Sequence, residues 1–292
     1  MKTHQPLVSI AMPFYNCRET LAPALMSVIR QTYPNWELLL CDDGSTDGSL
    51  ACARSFRDDR IVLSPDGRRR GLAARLNQCI DRARGEYIAR MDADDIAYPD
   101  RLERQVRFLE EHRDIDLAGS QMLIFGEDGT ALGKRALPCD HQGIVADPAV
   151  AFGMGHPTWT GRASWFRRYR YNPRAVRYED VELLYRSCRE SRFANLPEIL
   201  HAYREPHRGL AKRFKTRVER IRFLWKSHSE FAWRSALVEP VKAVMDAVIV
   251  GSGLRYAMLR RREQRLDEAE IARWQALWNE YLDKEVAGRC AS

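Results

Sequence analysis

The feature that most constrains this chain is a group of three carboxylates at the end of a short predicted strand. Residues 86–91 have the composition of a strand, and Asp92, Asp94 and Asp95 follow it directly. Carboxylates that lie close together raise one another's pKa unless a cation or hydrogen-bond donors compensate them. Mg²⁺ or Mn²⁺ is the usual compensation, because both ions prefer oxygen ligands. The alternative is an acidic turn whose charges favour the dipole of the next helix, which is our interpretation of Asp100.

Alternating strands and helices predict the fold class. Strands are expected at residues 7–12, 36–41, 61–63 and 86–91, and helices at 19–31, 46–56 and 71–84. The strand at 36–41 is a continuous apolar run of the kind that is buried on both faces of a parallel sheet. The spacing is typical of βαβ units, so we predict an α/β fold with an open, mostly parallel sheet flanked by helices. Ligands of such sheets bind at the carboxyl ends of the strands, where loops begin at Pro13, Asp42 and Asp92.

The second half of the chain has a less regular pattern. A strand is expected at residues 116–125, a turn-rich segment at 126–148, a loop leading into an edge strand at 153–159, and a returning strand at 193–203. Glu179 and Asp180 lie at the start of a predicted helix, where negative charge favours the helix dipole.

The net positive charge of the chain lies in its C-terminal part. Residues 1–207 contain 29 Lys or Arg and 29 Asp or Glu, out of 47 and 40 in the whole chain, so residues 208–292 carry the formal excess of +7. A basic segment can meet anionic lipid, nucleic acid or an acidic substrate, and net charge does not choose among them. The aromatic residues here recur at helical spacing and no nucleic-acid-binding module is recognisable, so no nucleic-acid partner is expected.

Residues 208–292 are predicted to form a basic helical extension to a domain at residues 1–207. The apolar stretch at 237–259 is interrupted by Lys242, Asp246 and Arg255, which argues against a membrane-spanning helix. Its apolar residues suit either an amphipathic helix on an anionic membrane surface or a helix packed on the first domain.

The cysteines and the N-terminus indicate a reducing compartment. Seven cysteines are scattered, odd in number and never spaced as CxxC, which predicts neither a disulfide framework nor a zinc site. No charged and apolar leader precedes the first predicted strand. We therefore expect a cytoplasmic protein, peripheral at the inner face of the cytoplasmic membrane if the extension binds lipid.

Five ordered blocks of sequence resemble the family 2 glycosyltransferases, which have the GT-A fold. The blocks are residues 8–16, 42–47, 71–77, 85–95 and 179–180, and the resemblance covers residues 6–205. One Asp-x-Asp is common by chance, whereas five blocks at predicted strand ends are specific. The resemblance implies an inverting, non-processive enzyme that moves one sugar from a nucleotide-diphosphate donor to a glycan or lipid-linked acceptor.

The first blocks imply a site for the donor nucleotide. The loop that contains Pro13, Tyr15 and Asn16, together with Asp43, is expected to hold the base and the ribose of the donor. A carboxylate suits this role because it accepts hydrogen bonds from a pyrimidine N–H or a ribose hydroxyl. The alternative for Asp43 is a structural role in the turn before the next helix.

The acidic block resembles the Asp-x-Asp motif of the family. The resemblance implies that Asp92 and Asp94 reach the ribose and a Mn²⁺ or Mg²⁺ ion that bridges the diphosphate. We expect Asp94 and Asp95 to bind the metal, with Asp95 either a direct ligand or a hydrogen-bonded neighbour of one. A metal ion suits this reaction because departure of a nucleoside diphosphate builds negative charge.

The last block implies the catalytic base. An inverting displacement needs one carboxylate opposite the leaving group, and that carboxylate takes the proton of the acceptor hydroxyl. Asp180 matches the base of the family, and Glu179 is expected to orient Asp180 on the acceptor side. The alternative for both residues is helix N-terminal charge.

Four other residues have an open assignment. His156 and Trp159 resemble the acceptor-side segment of the family, where an aromatic ring packs on a sugar; the alternative is a core Trp beside a hydrogen-bonded His. His207 lies where relatives often place a His near the diphosphate, and the alternative is an exposed loop His. Arg75 is expected either to contact a donor phosphate or to face solvent.

Two departures from the family pattern bear on function. Arg68, Arg69 and Arg70 stand where many relatives have Asn-x-Gly, which changes a loop that usually contacts the donor. Processive members carry Gln-x-x-Arg-Trp, whereas the nearest string here, at residues 270–274, has Glu in place of Gln and has the pattern of one face of a helix. Addition of a single sugar is therefore expected.

Two other functions explain less of the sequence. A sugar-nucleotide nucleotidyltransferase has a similar sheet and metal, but residues 13–18 are not the Gly-rich basic loop that such enzymes carry. A non-catalytic scaffold on a decayed transferase domain has no use for the clustered carboxylates Asp43, Asp92, Asp94 and Asp180.

Overall fold

The structure, a computed structural model, describes most of the N-terminal part of the chain and one C-terminal segment. The described residues are 5–147, 152–205 and 264–281, with the single residues 218, 219, 221, 222, 225, 241 and 244. The phrase "described residues" refers to this set below. His207 and nearly all of the apolar stretch at 237–259 lie outside it.

One mixed sheet of nine strands forms the centre of the molecule. The strands are β1 (Val8–Phe14), β2 (Trp36–Asp42), β3 (Ile61–Ser64), β4 (Tyr87–Arg90), β5 (Ile96–Ala97), β6 (Leu117–Phe125), β7 (Ala131–Arg135), β8 (Thr160–Arg162) and β9 (Phe193–Arg204). Their order across the sheet is β3-β2-β1-β4-β8-β6-β9-β5, and β7 pairs with β6.

Eight α-helices flank the sheet in the described residues. They are α1 (Arg18–Ile29), α2 (Ser49–Ser55), α3 (Leu72–Arg82), α4 (Arg101–Glu111), α5 (His141–Ile144), α6 (Ala163–Arg168), α7 (Glu179–Ser187) and α8 (Glu268–Tyr281). A single 3₁₀ turn, His156–Thr158, precedes β8.

The first four strands in space are parallel, which confirms the predicted fold class. β2 pairs parallel with β1 and β3, and β1 pairs parallel with β4. β8 then pairs antiparallel with both β4 and β6. The loop that begins at residue 153 does lead into a strand, β8, but this strand lies inside the sheet, so its predicted edge position is wrong.

Alternate residues of the central strands pack into two apolar cores, one on each face of the sheet. Val8, Ile10 and Met12 of β1 pack on the face that is covered by α1 and α4. Ala11 packs on the opposite face, together with residues of α3, α6 and α7. This period of two is what buries both faces of a strand in an α/β sheet.

Helix α8 packs against the sheet and is not a separate appendage. Trp274 is 1% exposed, and its Nε1 donates to the carbonyl oxygen of Gly129 at 2.8 Å. An ion pair joins Arg273 to Asp100 at 2.7 Å. Residues 270–274 are helical, as their spacing predicts. Among the described residues, no helix has the length and apolar composition needed to cross a membrane.

One cysteine of the described residues is disulfide-bonded. This residue is Cys52. Five others are free: Cys17, Cys41, Cys79, Cys139 and Cys188. One disulfide bond is not a disulfide framework, so Cys52 does not contradict the expectation.

Candidate active site

The three loops that the sequence places at strand ends lie side by side. β2, β1 and β4 are consecutive neighbours in the sheet and run parallel, so their carboxyl ends share one edge. The loops after β1, β2 and β4 therefore meet at that edge, where open α/β sheets bind ligands.

Asp43 is fixed by backbone and side-chain donors. Its Oδ1 accepts from Arg70 N at 2.7 Å and from Arg75 Nε at 3.0 Å. Gly71 N lies 3.1 Å from each carboxylate oxygen, and Gly71 has φ +87°, a conformation that favours glycine. Among the described residues Oδ2 accepts only the shared Gly71 bond, so it keeps capacity for one further donor.

Arg75 neither faces solvent nor has a guanidinium free to meet phosphate. Its side chain is fully buried, and it pairs with Asp43 and, at 2.6 Å, with Asp66 Oδ1. Gln78 Oε1 accepts from its Nη1 at 2.8 Å. Both expectations for Arg75 are corrected: its guanidinium is buried and holds Asp43 in place.

The loop after β1 begins later than the sequence suggests. Pro13 is buried within β1, so only the following residues form the loop. Tyr15 is 37% exposed, and the guanidinium of Arg69 lies 4.2 Å from its ring centroid. Asn16 has φ +46°, and its Oδ1 accepts from Thr46 N at 2.8 Å, which ties this loop to the one after β2.

The three carboxylates after β4 form a compact cluster. One oxygen of each of Asp92, Asp94 and Asp95 lies within 4.8 Å of the others. Burial raises the pKa of Asp94 to about 7, and the charges of Asp95 and Asp92 add to this rise. Burial raises the pKa of Asp95 well above its usual range, and the charge of Asp92 adds to it. Protein cations alone therefore leave this cluster under-compensated.

Asp95 is held by hydrogen bonds at both oxygens. Its Oδ1 accepts from Arg204 N at 2.9 Å, and its Oδ2 lies 2.8 Å from His201 Nε2. Nδ1 of His201 lies 3.1 Å from Arg101 Nη1. Since arginine only donates, Nδ1 is the acceptor and the proton of a neutral His201 is on Nε2. Burial lowers the pKa of His201, and the charge of Arg101 lowers it further. A lowered pKa favours the neutral imidazole.

The donor set fits a divalent cation. Oxygen ligands of partly exposed carboxylates suit Mg²⁺ or Mn²⁺. Asp92 and Asp94 are partly exposed, whereas Asp95 is 0% exposed and engaged at both oxygens. No hydrogen bond reaches the Asp94 carboxylate from any described residue. Asp94 is thus the carboxylate in this cluster with the most free coordination capacity.

A buried arginine lies beside the cluster. Arg90 is 4% exposed, and its Nη2 contacts Asp92 Oδ1 at 2.5 Å. In the described part of the chain, its Nε and Nη1 atoms have no hydrogen-bond acceptor. Arg90 also opposes the rise in pKa of Glu179, so its charge acts on the carboxylates of α7 as well.

The structure brings the start of α7 to the same site. Glu179 is 9% exposed, and burial, followed by the charge of Asp180, raises its pKa to about 7. Burial also raises the pKa of Tyr171; Arg90 opposes this rise, and the charges of Asp180, Glu179 and Asp92 add to it. The charges of Asp92 and of the acidic pair of α7 therefore all act on this one phenol.

His156 and Trp159 belong to the core and not to an open acceptor surface. Trp159 is 0% exposed, and its ring centroid lies 4.6 Å from that of His156. His156 Nε2 is 2.8 Å from the hydroxyl of Tyr171. A fully covered ring cannot pack on a sugar, so the expected acceptor contact of Trp159 is wrong. The alternative, a core Trp beside a hydrogen-bonded His, is what the structure contains.

Sequence reasoning missed four residues at this site. Arg90 had a usable signal, because residues two apart on a strand share a face and Asp92 follows at that spacing. Tyr171, His201 and Arg204 are more than 75 residues from Asp92 in the chain and had no local signal.

Comparison with known sequences identifies the family. The profile of glycosyl transferase family 2 matches residues 9–187, more than half of the chain. EpsE, a putative glycosyltransferase of Bacillus subtilis (strain 168), is 43% identical over 216 residues, which cover 71% of this chain and 76% of EpsE. WfgD of Escherichia coli, a UDP-Glc:alpha-D-GlcNAc-diphosphoundecaprenol beta-1,3-glucosyltransferase, is 36% identical over 132 residues, 45% of this chain and 51% of WfgD.

Solved structures with a similar fold are glycosyltransferases of the GT-A class. The mannosyltransferase PcManGT of Pyrobaculum calidifontis, in complex with GDP-Man and Mn²⁺, aligns with a TM-score of 0.60 at 17% identity over 97% of this chain and 89% of that one. TarS 1–349 of S. aureus, in complex with UDP-GlcNAc, aligns with a TM-score of 0.55 at 17% identity over 94% and 91%. These likenesses show the fold, and the profile and EpsE matches show that this chain belongs to glycosyl transferase family 2.

Proposed function

We propose that this protein is a metal-dependent, inverting glycosyltransferase that moves a single sugar from a nucleotide-diphosphate donor to a glycan or lipid-linked acceptor. One observation carries the proposal most directly. One oxygen of each of Asp92, Asp94 and Asp95 lies within 4.8 Å of the others, at the sheet edge where β1, β2 and β4 end, which supports a metal-assisted donor site in a member of glycosyl transferase family 2.

The donor nucleotide is proposed to bind over the loops after β1 and β2. Asp43 Oδ2 keeps a free acceptor site, which suits a base N–H or a ribose hydroxyl. Tyr15 offers a partly exposed ring beside this carboxylate loop, and Asn16 fixes the loop that carries the ring. Arg75 supports the site because its ion pair with Asp43 holds that carboxylate in place.

The donor diphosphate is proposed to lie against the acidic cluster with a bound Mn²⁺ or Mg²⁺. Asp94, with Asp92 nearby, would hold the ion, and Asp95 would support it through its own hydrogen bonds. When bound, the ion supplies positive charge that stabilises the departing nucleoside diphosphate. PcManGT, whose structure contains Mn²⁺ and GDP-Man, has the same fold, which supports the choice of ion.

Asp180 is the proposed base. The acceptor hydroxyl oxygen forms a bond to the anomeric carbon, the bond from that carbon to the diphosphate oxygen breaks, and the hydroxyl proton moves to the Asp180 carboxylate. This direct displacement uses one carboxylate and inverts the anomeric centre. Glu179, buried beside Asp180, is proposed to orient it on the acceptor side.

A lipid-linked acceptor at the cytoplasmic membrane is the proposed setting. WfgD is named as acting on a diphosphoundecaprenol-linked sugar, and it is one of the relatives of this chain. The formal charge of +7 lies in residues 208–292, which suits peripheral contact with anionic lipid at the inner face of the membrane. Addition of a sugar to such an acceptor lengthens a glycan, so we propose a role in polysaccharide biosynthesis.

The test is nucleoside diphosphate release by the purified full-length protein. With Mn²⁺, we expect release from one of a panel of UDP- and GDP-sugars, faster when lipid-linked or soluble glycan acceptors are added. The Asp94→Ala variant should weaken both donor binding and turnover. No release from any donor, with any acceptor, would reject the proposed activity.

A further inference from the structure

Arg204 connects the acidic cluster to a part of the chain outside the family match. It is the last residue of β9, beyond the matched residues 9–187. Its backbone N–H donates to Asp95 Oδ1 at 2.9 Å, and its Nε donates to the carbonyl oxygen of Asp94 at 2.8 Å. One residue therefore holds two neighbouring members of the cluster, one by its carboxylate and one by its backbone.

The guanidinium of Arg204 is itself fixed by aromatic rings. The side chain is 8% exposed, and its Cζ lies 4.7 Å from the ring centroid of Phe125 and 5.6 Å from that of Trp278. A guanidinium over aromatic faces is attracted by the ring quadrupole and loses rotational freedom. The two rings thus help to keep the guanidinium in the orientation that reaches the Asp94 carbonyl oxygen.

Trp278 is seated by the packing of α8. Its ring lies 5.5 Å, centroid to centroid, from that of Trp274 in a stacked arrangement. A Cβ atom at Gly129, which has φ +81°, would lie 2.0 Å from the Trp278 ring, so the glycine admits the indole. The Trp278 ring therefore rests on the Gly129 backbone on one side and near Arg204 on the other.

Ion pairs at both ends hold α8 in this position. Lys134 Nζ contacts Glu270 Oε1 at 2.6 Å near the start of the helix. Arg30 Nη1 contacts Glu280 Oε1 at 2.5 Å near its end. Leu277, 6% exposed, packs in the apolar cluster beneath the helix. The helix is thus docked independently of the contact between Trp278 and Arg204.

We propose that Arg204 is a positioning residue for the acidic cluster and that Trp278 holds Arg204 in place, which makes α8 a working part of the active site. The inference rests on the proposed function only in taking Asp94 as a metal-binding carboxylate that Asp95 supports. Loss of the Trp278 ring frees the guanidinium to leave the Asp94 carbonyl, and the loop at residues 92–96 then loosens.

The experiment compares two α8 variants of the full-length protein, Trp278→Leu and Leu277→Ala. Leu277 is more deeply buried than Trp278, packs in the apolar cluster beneath the helix and has no aromatic ring to offer Arg204, so Leu277→Ala should lower the melting temperature more. Trp278→Leu should raise the Mn²⁺ dissociation constant, measured by calorimetry without donor, by about tenfold, the effect typical of losing a residue that orients a metal ligand. Leu277→Ala should leave that constant within about twofold of the parent.

Two further measurements separate positioning from folding and from activity. Amide hydrogen exchange at residues 92–96 should become faster in Trp278→Leu and stay unchanged in Leu277→Ala, whether or not the protein transfers sugar. Trp278→Phe, which keeps an aromatic face, should restore both readouts. Parent-like exchange at 92–96 in Trp278→Leu, or equal effects of the two α8 variants on exchange, would overturn the proposal.

Discussion

Nε2 of His201 lies 2.8 Å from Oδ2 of Asp95, and both side chains are 0% exposed. Because Arg101 donates to the other ring nitrogen, the contact is a hydrogen bond from a neutral imidazole and not an ion pair. The hydrogen bonds from His201 and Arg204 compensate part of the cost of burying the Asp95 carboxylate, whose pKa burial raises. Each of its oxygens accepts a hydrogen bond and the side chain is fully buried, so it supports the cluster without being its most available ligand.

Replacing His201 by Ala should therefore be costly. The substitution leaves the carboxylate of Asp95 and the Nη1 of Arg101 buried without that partner, and we expect a loss of about 3 kcal/mol in the free energy of unfolding. Urea unfolding monitored by fluorescence measures this loss. His112→Ala, at an exposed histidine that stacks on Phe108, is the control and should cost far less. Equal losses in the two variants would contradict the buried network.

Arg75 should affect nucleotide binding through Asp43. Arg75→Met removes the guanidinium that holds Asp43, so we expect the dissociation constant for the nucleoside diphosphate to rise about tenfold, alongside a loss of about 3 to 5 kcal/mol in stability. Asp66→Asn is the matched control, because it removes the other carboxylate partner of Arg75 and leaves the pair with Asp43. Calorimetric titration with UDP and GDP measures both variants. An unchanged affinity in folded Arg75→Met would refute the link.

Glu179 should make stability depend on pH. Its folded pKa of about 7 lies above the ordinary value of 4.5, so the native state holds the proton more tightly than the unfolded chain. The free energy of unfolding therefore falls as pH rises from about 4.5 through about 7, by at most about 3 kcal/mol. Glu179→Gln removes this loss and should be more stable than the parent at pH 8, and close to it at pH 4.5.

Glu182, on the same helix, provides the control for that prediction. Its two carboxylate oxygens accept from Arg186 Nε and Nη2, each at 3.0 Å, so Glu182→Gln breaks an ion pair and should be destabilising at pH 8. Urea unfolding at pH 4.5 and pH 8 distinguishes the variants by the sign of their effects. A Glu179→Gln protein that is less stable than the parent at pH 8 would contradict the raised pKa.

The parallel half of the fold was predictable because its signals are local. Apolar runs at residues 36–41 and 86–91 and the alternating helices specify βαβ units, and β2 and β4 lie where the pattern puts them. The position of β8 inside the sheet was not predictable, because three residues carry no strand period and only tertiary packing brings them between β4 and β6. The carboxylates of the site follow from the strand ends, since parallel neighbours bring those ends together.

The partners of those carboxylates follow from tertiary packing alone. Asp95 meets His201 and Arg204 because β9 lies between β6 and β5, a neighbourhood that no local pattern encodes. Arg75 lies beside Leu76 on the buried side of α3, and this position is a local signal for burial. An arginine is nevertheless ordinarily expected at the protein surface. Trp159 could not be assigned from sequence, because a buried indole and a sugar-binding one have the same local pattern.

The most direct test of the account is the Asp180→Asn variant, with donor binding, Mn²⁺ binding and sugar transfer measured on the same preparation. The side chain keeps its shape but can no longer take a proton. We expect donor and Mn²⁺ dissociation constants within about twofold of the parent and a transfer rate lower by about 10²- to 10⁴-fold, the usual contribution of a general base. Transfer by Asp180→Asn at the rate of the parent would contradict the assignment of the base and, with it, the proposed mechanism.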